Sequence, residues 1–260
     1  TDNNITINDS NSGSGTSTRN TVTINAEKGQ TANVTLDNVN INVDEGYKHG
    51  YDPDQYKTAV EVTGSGNTNI ELNGNNTLTS GYGHAGLEHN KTDDSGTLTI
   101  QDEKNDDGSA KGSASDTTGS LTATGGYHSA GIGGSDKQDG QVTITGGEII
   151  ANGGSQGAGI GGGCGEIPKG TLIGGNGTVT ISGGTITEAS GGYMAAGIGS
   201  GYQGLGTVTI EGDAVIKNAQ GGEAGAGIGS GTRGNSEIII RGNAVIENAE
   251  SSANGAGIGA

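Results

Sequence analysis

The chain contains no Trp, no Phe and a single Cys, and its positive charge is scarce. Without Trp and Phe a thick layered core is excluded, so the interior must be thin and built from Ile, Val, Leu and Ala. Cys164 has no second cysteine to meet, so an intrachain disulfide is impossible. Lys and Arg total 12 against 29 Asp and Glu, a net charge of −17. No basic run interrupts that balance, which leaves no phosphate-binding footprint: nucleic acid is not an expected partner, and neither is an anionic membrane surface. No apolar run approaches the ~20 residues of a spanning helix, so membrane insertion is not expected. A signal peptide is also missing. The chain opens in strand-like sequence at Ile5-Thr6-Ile7 and stops inside a repeat at Ala260, which reads as a mature fragment of a longer protein with further repeats or domains.

Glycine is what the chain has in abundance, 56 of 260 residues, while Leu, Ile and Val together make up fewer than a fifth. By composition alone that describes disorder. Periodicity overrules it. An apolar-x-apolar pattern recurs at Val34-Thr35-Leu36, Ile70-Glu71-Leu72, Leu98-Thr99-Ile100, Val142-Thr143-Ile144, Val179-Thr180-Ile181, Val208-Thr209-Ile210 and Ile238-Ile239-Ile240. A second pattern follows a Gly- or Asn-rich turn and centres on Val39, Leu78, Leu121, Ile149, Ile186, Val215 and Val245. A third begins loosely with Ala59 and Val62, continues with Ala85-Gly86-Leu87, and then repeats Ala-Gly-Ile-Gly from Ala130, Ala158, Ala196, Ala226 and Ala256. Short period-2 segments are strands, and the Gly and Asn between them supply corners with φ > 0. Three strands per repeat in fixed order predict an all-β chain folded as a right-handed parallel β-helix (a solenoid) of roughly seven coils, paired in parallel throughout. Residues 1–33 are expected to form an N-terminal cap and irregular first coil, and residues 34–260 the coils of one continuous domain. The Ile ladder at 132, 160, 198, 228 and 258 is expected to point inward.

The runs GNNTLTSGYGHAGLEHN, GSLTATGGYHSAGIGG and GTVTISGGTITEASGGYMAAGIGSG resemble repeats of large surface proteins of Gram-positive gut bacteria, proteins described as adhesin-like or carbohydrate-binding. The resemblance implies a secreted or cell-surface location and attachment to a glycan or another ligand on a host or dietary surface. It names no binding residue.

Solenoids carry function on one face or in inserted loops. Aligning repeats on the third pattern places Tyr56, Tyr82, Tyr127 and Tyr193 in one column, with His84 and His128 beside it. Such a row offers rings for sugars to stack on and imidazoles to donate hydrogen bonds; an aromatic stack that merely braces a corner is the structural alternative. The Gly-x-Gly of the third strand reads either as a bare outward wall or as tight coil packing. Glu103, Asn105 and Asp107 begin a calcium loop with oxygen ligands on alternate residues, but Ala114 stands where a bidentate Glu belongs. Calcium is therefore a candidate ion, and no cofactor is required. Catalysis has little to stand on: Glu71 and Glu88 look isolated, and Arg19, Arg233 and Arg241 are the only arginines. The expected function is a non-catalytic extracellular adhesin or glycan-binding module, with a structural stalk and a polysaccharide lyase-like enzyme as alternatives.

Overall fold

The computed structural model describes residues 4–9, 16–44, 46, 56–103, 119–167 and 171–260. Their strands stack into the three faces of a right-handed parallel β-helix. The first face runs through Asn4–Asn8, Thr31–Asp37, the first half of Asn67–Thr79, Leu98–Asp102, Gly140–Ile144, Gly177–Ile181, Leu205–Ile210 and Asn235–Ile240. The third face is an eight-stranded sheet from Val22–Ala26 to Ile258–Gly259. The second runs from Asn40–Asn42 through the far half of Asn67–Thr79 to Val245–Ile246 and Ala249–Ser251. The segment expected as a cap adds a rung to the first face through Asn4–Asn8 and one to the third through Val22–Ala26, and Thr18 bridges to Ile41 between them.

Like stacks on like. Leu87, Ile132, Ile160, Ile198 and Ile228 form one inward ladder, each fully buried. Full burial of one such side chain is worth about 1.5–3 kcal/mol, repeated at every coil. The ladder continues below into Val60 and Val22, so Val60, not Val62, is the partner of Leu87.

Register differs from the apolar pattern in three further places. In the first face Ile70 pairs with Ile100, and Thr68, not Ile70, lies beside Leu98. In the second, Leu78 pairs with Ala123, which leaves Asn76 opposite Leu121. Val215 and Val245 pair with each other but lean outward; Ile216 is the buried neighbour. Each slip comes from an apolar residue two places or one place away that matches the pattern equally well by type. At Asn76 it is the side-chain amide's hydrogen bonds that hold the inward position.

Pairing is not parallel throughout. Cys164–Ile167 and Thr171–Gly174 form an antiparallel hairpin that leaves the solenoid, and Asn90 makes an antiparallel bridge to Gly140. The glycines of the third strand do not form an open wall either. Gly157, Gly159 and Gly161 are buried, and a Cβ on Gly161 would lie 1.8 Å from the Gly199 carbonyl oxygen. They are there so that successive coils can close on one another.

Candidate functional site

The turn that leads into the third face positions the tyrosines. Gly81 O accepts a hydrogen bond from His84 N (3.2 Å), and the same bond recurs as Gly126–Ser129, Gly154–Gly157, Gly192–Ala195 and Gly222–Gly225. Gly83, His128, Gln156 and Met194 occupy the third position of successive turns with φ between 63° and 80°. Positive φ there, and not at the second position, is the mark of a type II turn. The second position holds Tyr82, Tyr127, Ser155, Tyr193 and Glu223 in turn, and its side chain is thrown outward. His84 does not share the place of His128; it stands at the fourth position, level with Ser129.

The rings then stack along the solenoid axis. Tyr82 and Tyr127 lie parallel with centroids 5.2 Å apart, Tyr56 meets Tyr82 edge-on at 5.5 Å, and the His128 ring tilts against Tyr127 at 4.1 Å. Tyr127 thus covers one face of Tyr82 and Tyr56 meets it at a steep angle, so the rings expected to carry a sugar pack in part on one another. What the ladder presents is edges and hydroxyls: Tyr56 is 39% and Tyr127 46% exposed. Tyr193, two coils beyond Tyr127 and separated from it by Ser155, is 48% exposed and touches no other ring among the described residues.

Beside the ladder sits a buried polar network. On the outer side of the third face most coils have Gly, but here Thr23, Glu61 and Glu88 stack directly. Glu88 is 2% exposed and accepts from Ala85 N (3.2 Å), Asn90 Nδ2 (2.9 Å) and His84 Nδ1 (2.8 Å). Thr58 Oγ1 lies 2.7 Å from the same Nδ1. Asn90 is itself held by Ser135 N and Oγ. Burial opposes the His84 cation, yet the Glu88 hydrogen bond and charge, backed by Glu61 and Asp136, outweigh it and raise its pKa. Burial and the Glu88 charge raise Glu61, against the pull of His84 and a hydrogen bond from Thr23. Asp136 reaches the same corner through a backbone bond to Gly83 O, with Lys137 Nζ 2.6 Å and His128 Nδ1 3.6 Å away. Burial alone would raise its pKa, but those two partners lower it.

Glu61 escapes sequence reasoning. Aligning Val62 with the Ile ladder sets it beside Gly86, whereas aligning Val60 sets it beside Glu88. Of the calcium candidates, Glu103 is buried, and Asn105 and Asp107 lie outside the described residues. Among the described residues no three His, Cys, Asp or Glu come together as a metal site. Cys164 is buried, with its N–H bonded to His128 O.

A family model described as a beta helix repeat matches residues 119–136, 142–164 and 179–202. No curated protein and no solved structure matches the chain. The matched stretches hold Tyr127, Tyr193 and the three Ala-Gly-Ile-Gly runs between them, and over them the chain is similar to a β-helix repeat, in agreement with its three-faced parallel stack.

Proposed function

We propose that this β-solenoid is a non-catalytic glycan-binding module of an extracellular bacterial surface protein, an adhesin that holds a neutral oligosaccharide along the tyrosine column. One observation carries the reading. A chain with no Trp and no Phe places four of its seven tyrosines in a single outward register, three of them more than a third exposed. A core in need of aromatic bulk would bury it; a phenol kept at the surface offers an apolar face and a hydroxyl together. Tyr193 supplies the stacking platform, while Tyr56, Tyr82 and Tyr127 offer a rail of ring edges and hydroxyls. The rigid parallel stack fixes their spacing near 4.8 Å per coil, so a ligand meets them without ordering a loop.

A glycan array probed with the chain tests this. Reproducible binding to neutral oligosaccharides that disappears with Tyr193→Ala supports it. Silence across the array favours a spacer that holds other domains away from the cell wall, and release of shortened products points to an enzyme instead.

A further inference from the structure

The corner that follows the third face differs from its counterparts in the later coils. The loop from His89 to Ser95 swings out over the end of strand Val60–Gly64, and between them lies a half-open groove of about 410 Å³, lined by Glu61, Thr63, Ser65, Asn90, Thr92 and Asp94 among others. That is within the about 300–1,000 Å³ of small-ligand sites. Its loop is tied off by a pair of local bonds, Thr92 N to Ser95 Oγ (3.0 Å) and Ser95 Oγ to Thr92 O (3.1 Å), which hold the rim in shape.

Charge in this groove has one sign. Glu61 and Asp94 line it, and no Lys or Arg does so among the described residues. Lys91, in the same loop, turns its Nζ to Thr178 Oγ1 (3.3 Å). His89 has its charged form disfavoured by burial, against backbone bonds to Gln141 and Gly96, so its pKa falls and it brings no cation. Glu88 is sealed behind by its three donors, which leaves Glu61 as the carboxylate on the strand side of the groove, with Asp94 on the loop side. The groups facing Glu61 are Glu88 and His84 from the next coil and Thr23 from the one before; among the described residues His84 is the one cation acting on it, and it is already bonded to Glu88. The remaining lining combines the hydroxyls of Thr63, Ser65, Thr92 and Ser95 and the Asn90 amide with an apolar floor that includes Val62 and Gly64, against which the carbon face of a sugar ring can lie.

We propose that this groove binds a hydroxylated ring bearing a primary ammonium, a sugar with a free amine, with Glu61 as the ion partner of the ammonium and the Thr63, Ser65, Thr92 and Asn90 side chains as partners of its hydroxyls. The reading shares the glycan class of the tyrosine column but uses separate residues and a different charge state of the ligand. A charge-assisted bond to Glu61 is what separates the amine from its N-acetyl form. Because Glu61 and Glu88 repel, the bound ammonium also relieves a repulsion that the empty groove retains.

The test is calorimetry with a glucosamine tetrasaccharide, its fully N-acetylated counterpart and a lysine-containing tetrapeptide. The amine form is expected to bind at least tenfold more tightly than the N-acetylated one. Glu61→Gln is expected to abolish that preference, and Asp94→Asn, on the exposed loop, to reduce it a few-fold. Binding of the amine should also weaken on acidification sooner than the titration of an ordinary Glu would dictate, since Glu61 takes up its proton early. Equal affinity for both sugars, an unchanged preference in Glu61→Gln, or tight binding of the peptide without the amino sugar would each overturn the proposal. If neutral sugars still bind through Tyr193 while the amine preference is missing, the groove assignment falls and the tyrosine reading stands.

Discussion

Asn76 occupies the inward position that Leu121 fills one coil further along. It is 2% exposed, its Oδ1 accepts from Val39 N (2.9 Å), and its Nδ2 donates to Asn73 O and Ser120 O (3.1 Å each). The side chain does for these backbone groups at the corner what a strand ladder does elsewhere.

Asn76→Leu therefore restores the apolar ladder and still destabilises the protein. The Val39 N–H loses its partner inside the stack, a loss of about 1–3 kcal/mol that exceeds any gain from a leucine fitted into an amide-shaped site. Chemical denaturation should show a lower midpoint for Asn76→Leu than for the parent. A higher midpoint would mean that the amide is incidental.

Most of the architecture was legible because a solenoid repeats its instructions. The Ile ladder from Ile132 to Ile258 appears in sequence five times with the same Gly beside it, and the structure stacks it as read. The early coils were less legible for the same reason in reverse: each has its own loop length. Between Leu72 and Leu78 no apolar residue marks which position turns inward, and Asn76 turns inward for its amide. The tyrosine column could be read from spacing to the third-strand Ala. Whether its rings would stack on one another, the structural alternative, could not be decided there, because it depends on side-chain rotamers and not on register. Glu61 was hidden by a choice between two valines.

Gly161→Ala tests the claim that the third-strand glycines serve packing. Gly161 has φ +131°, a region essentially closed to other residues, and its new Cβ would meet the Gly199 carbonyl carbon at 2.8 Å as well as the oxygen. Backbone strain alone sets a loss of about 1–3 kcal/mol, before the clash is relieved. An Ala variant that melts with the parent would contradict the close approach of these two coils.

Ile198→Ala removes the centre of the inward ladder. Ile198 is fully buried between Ile160 and Ile228. Truncation is expected to cost about 2–5 kcal/mol, and Ile198→Asp to unfold several coils because a buried carboxylate has nothing to pair with. Circular dichroism on both variants checks the order of severity.

The share of stability held by Glu61 and His84 should fall as the pH rises, above 4.5 for Glu61 and above 6.5 for His84, while His89, whose pKa is lowered, acts the other way below 6.5. His84 has a folded pKa above 6.5, so its contribution is complete below that value and is lost as pH rises through the folded one. Glu61 is also raised, above 4.5, so folding favours its protonated form, and ionising it next to Glu88 removes stability as the pH rises through its own folded value. Both act in one direction. Asp136 has a lowered pKa and acts at the acid end, where its stabilisation is lost as pH drops through its folded value. Melting curves of the parent and of Glu61→Gln with His84→Gln should diverge in slope as the pH rises; parallel slopes would remove the pair from the account.

The ladder and Tyr193 should separate under mutation. Tyr82 has one face on Tyr127 at 5.2 Å and an edge contact with Tyr56 at 5.5 Å, so Tyr82→Ala takes two ring contacts out of a corner. Each such contact is worth about 0.5–1.5 kcal/mol beyond area burial, and the melting temperature should drop accordingly. Tyr193 has no ring partner among the described residues and is 48% exposed, so Tyr193→Ala should leave the melting temperature nearly unchanged. If the column binds sugar, the order reverses for affinity. Tyr193 is the exposed ring of the column with no ring neighbour among the described residues, and its loss should weaken binding about tenfold or more, by analogy with the ~1–3 kcal/mol of a stacked base. Tyr82→Phe keeps the stack and removes the hydroxyl, so it should retain stability while losing a smaller part of the affinity. A Tyr193→Ala variant that melts early and binds normally would invert both assignments, making Tyr193 the brace and the stacked tyrosines the site.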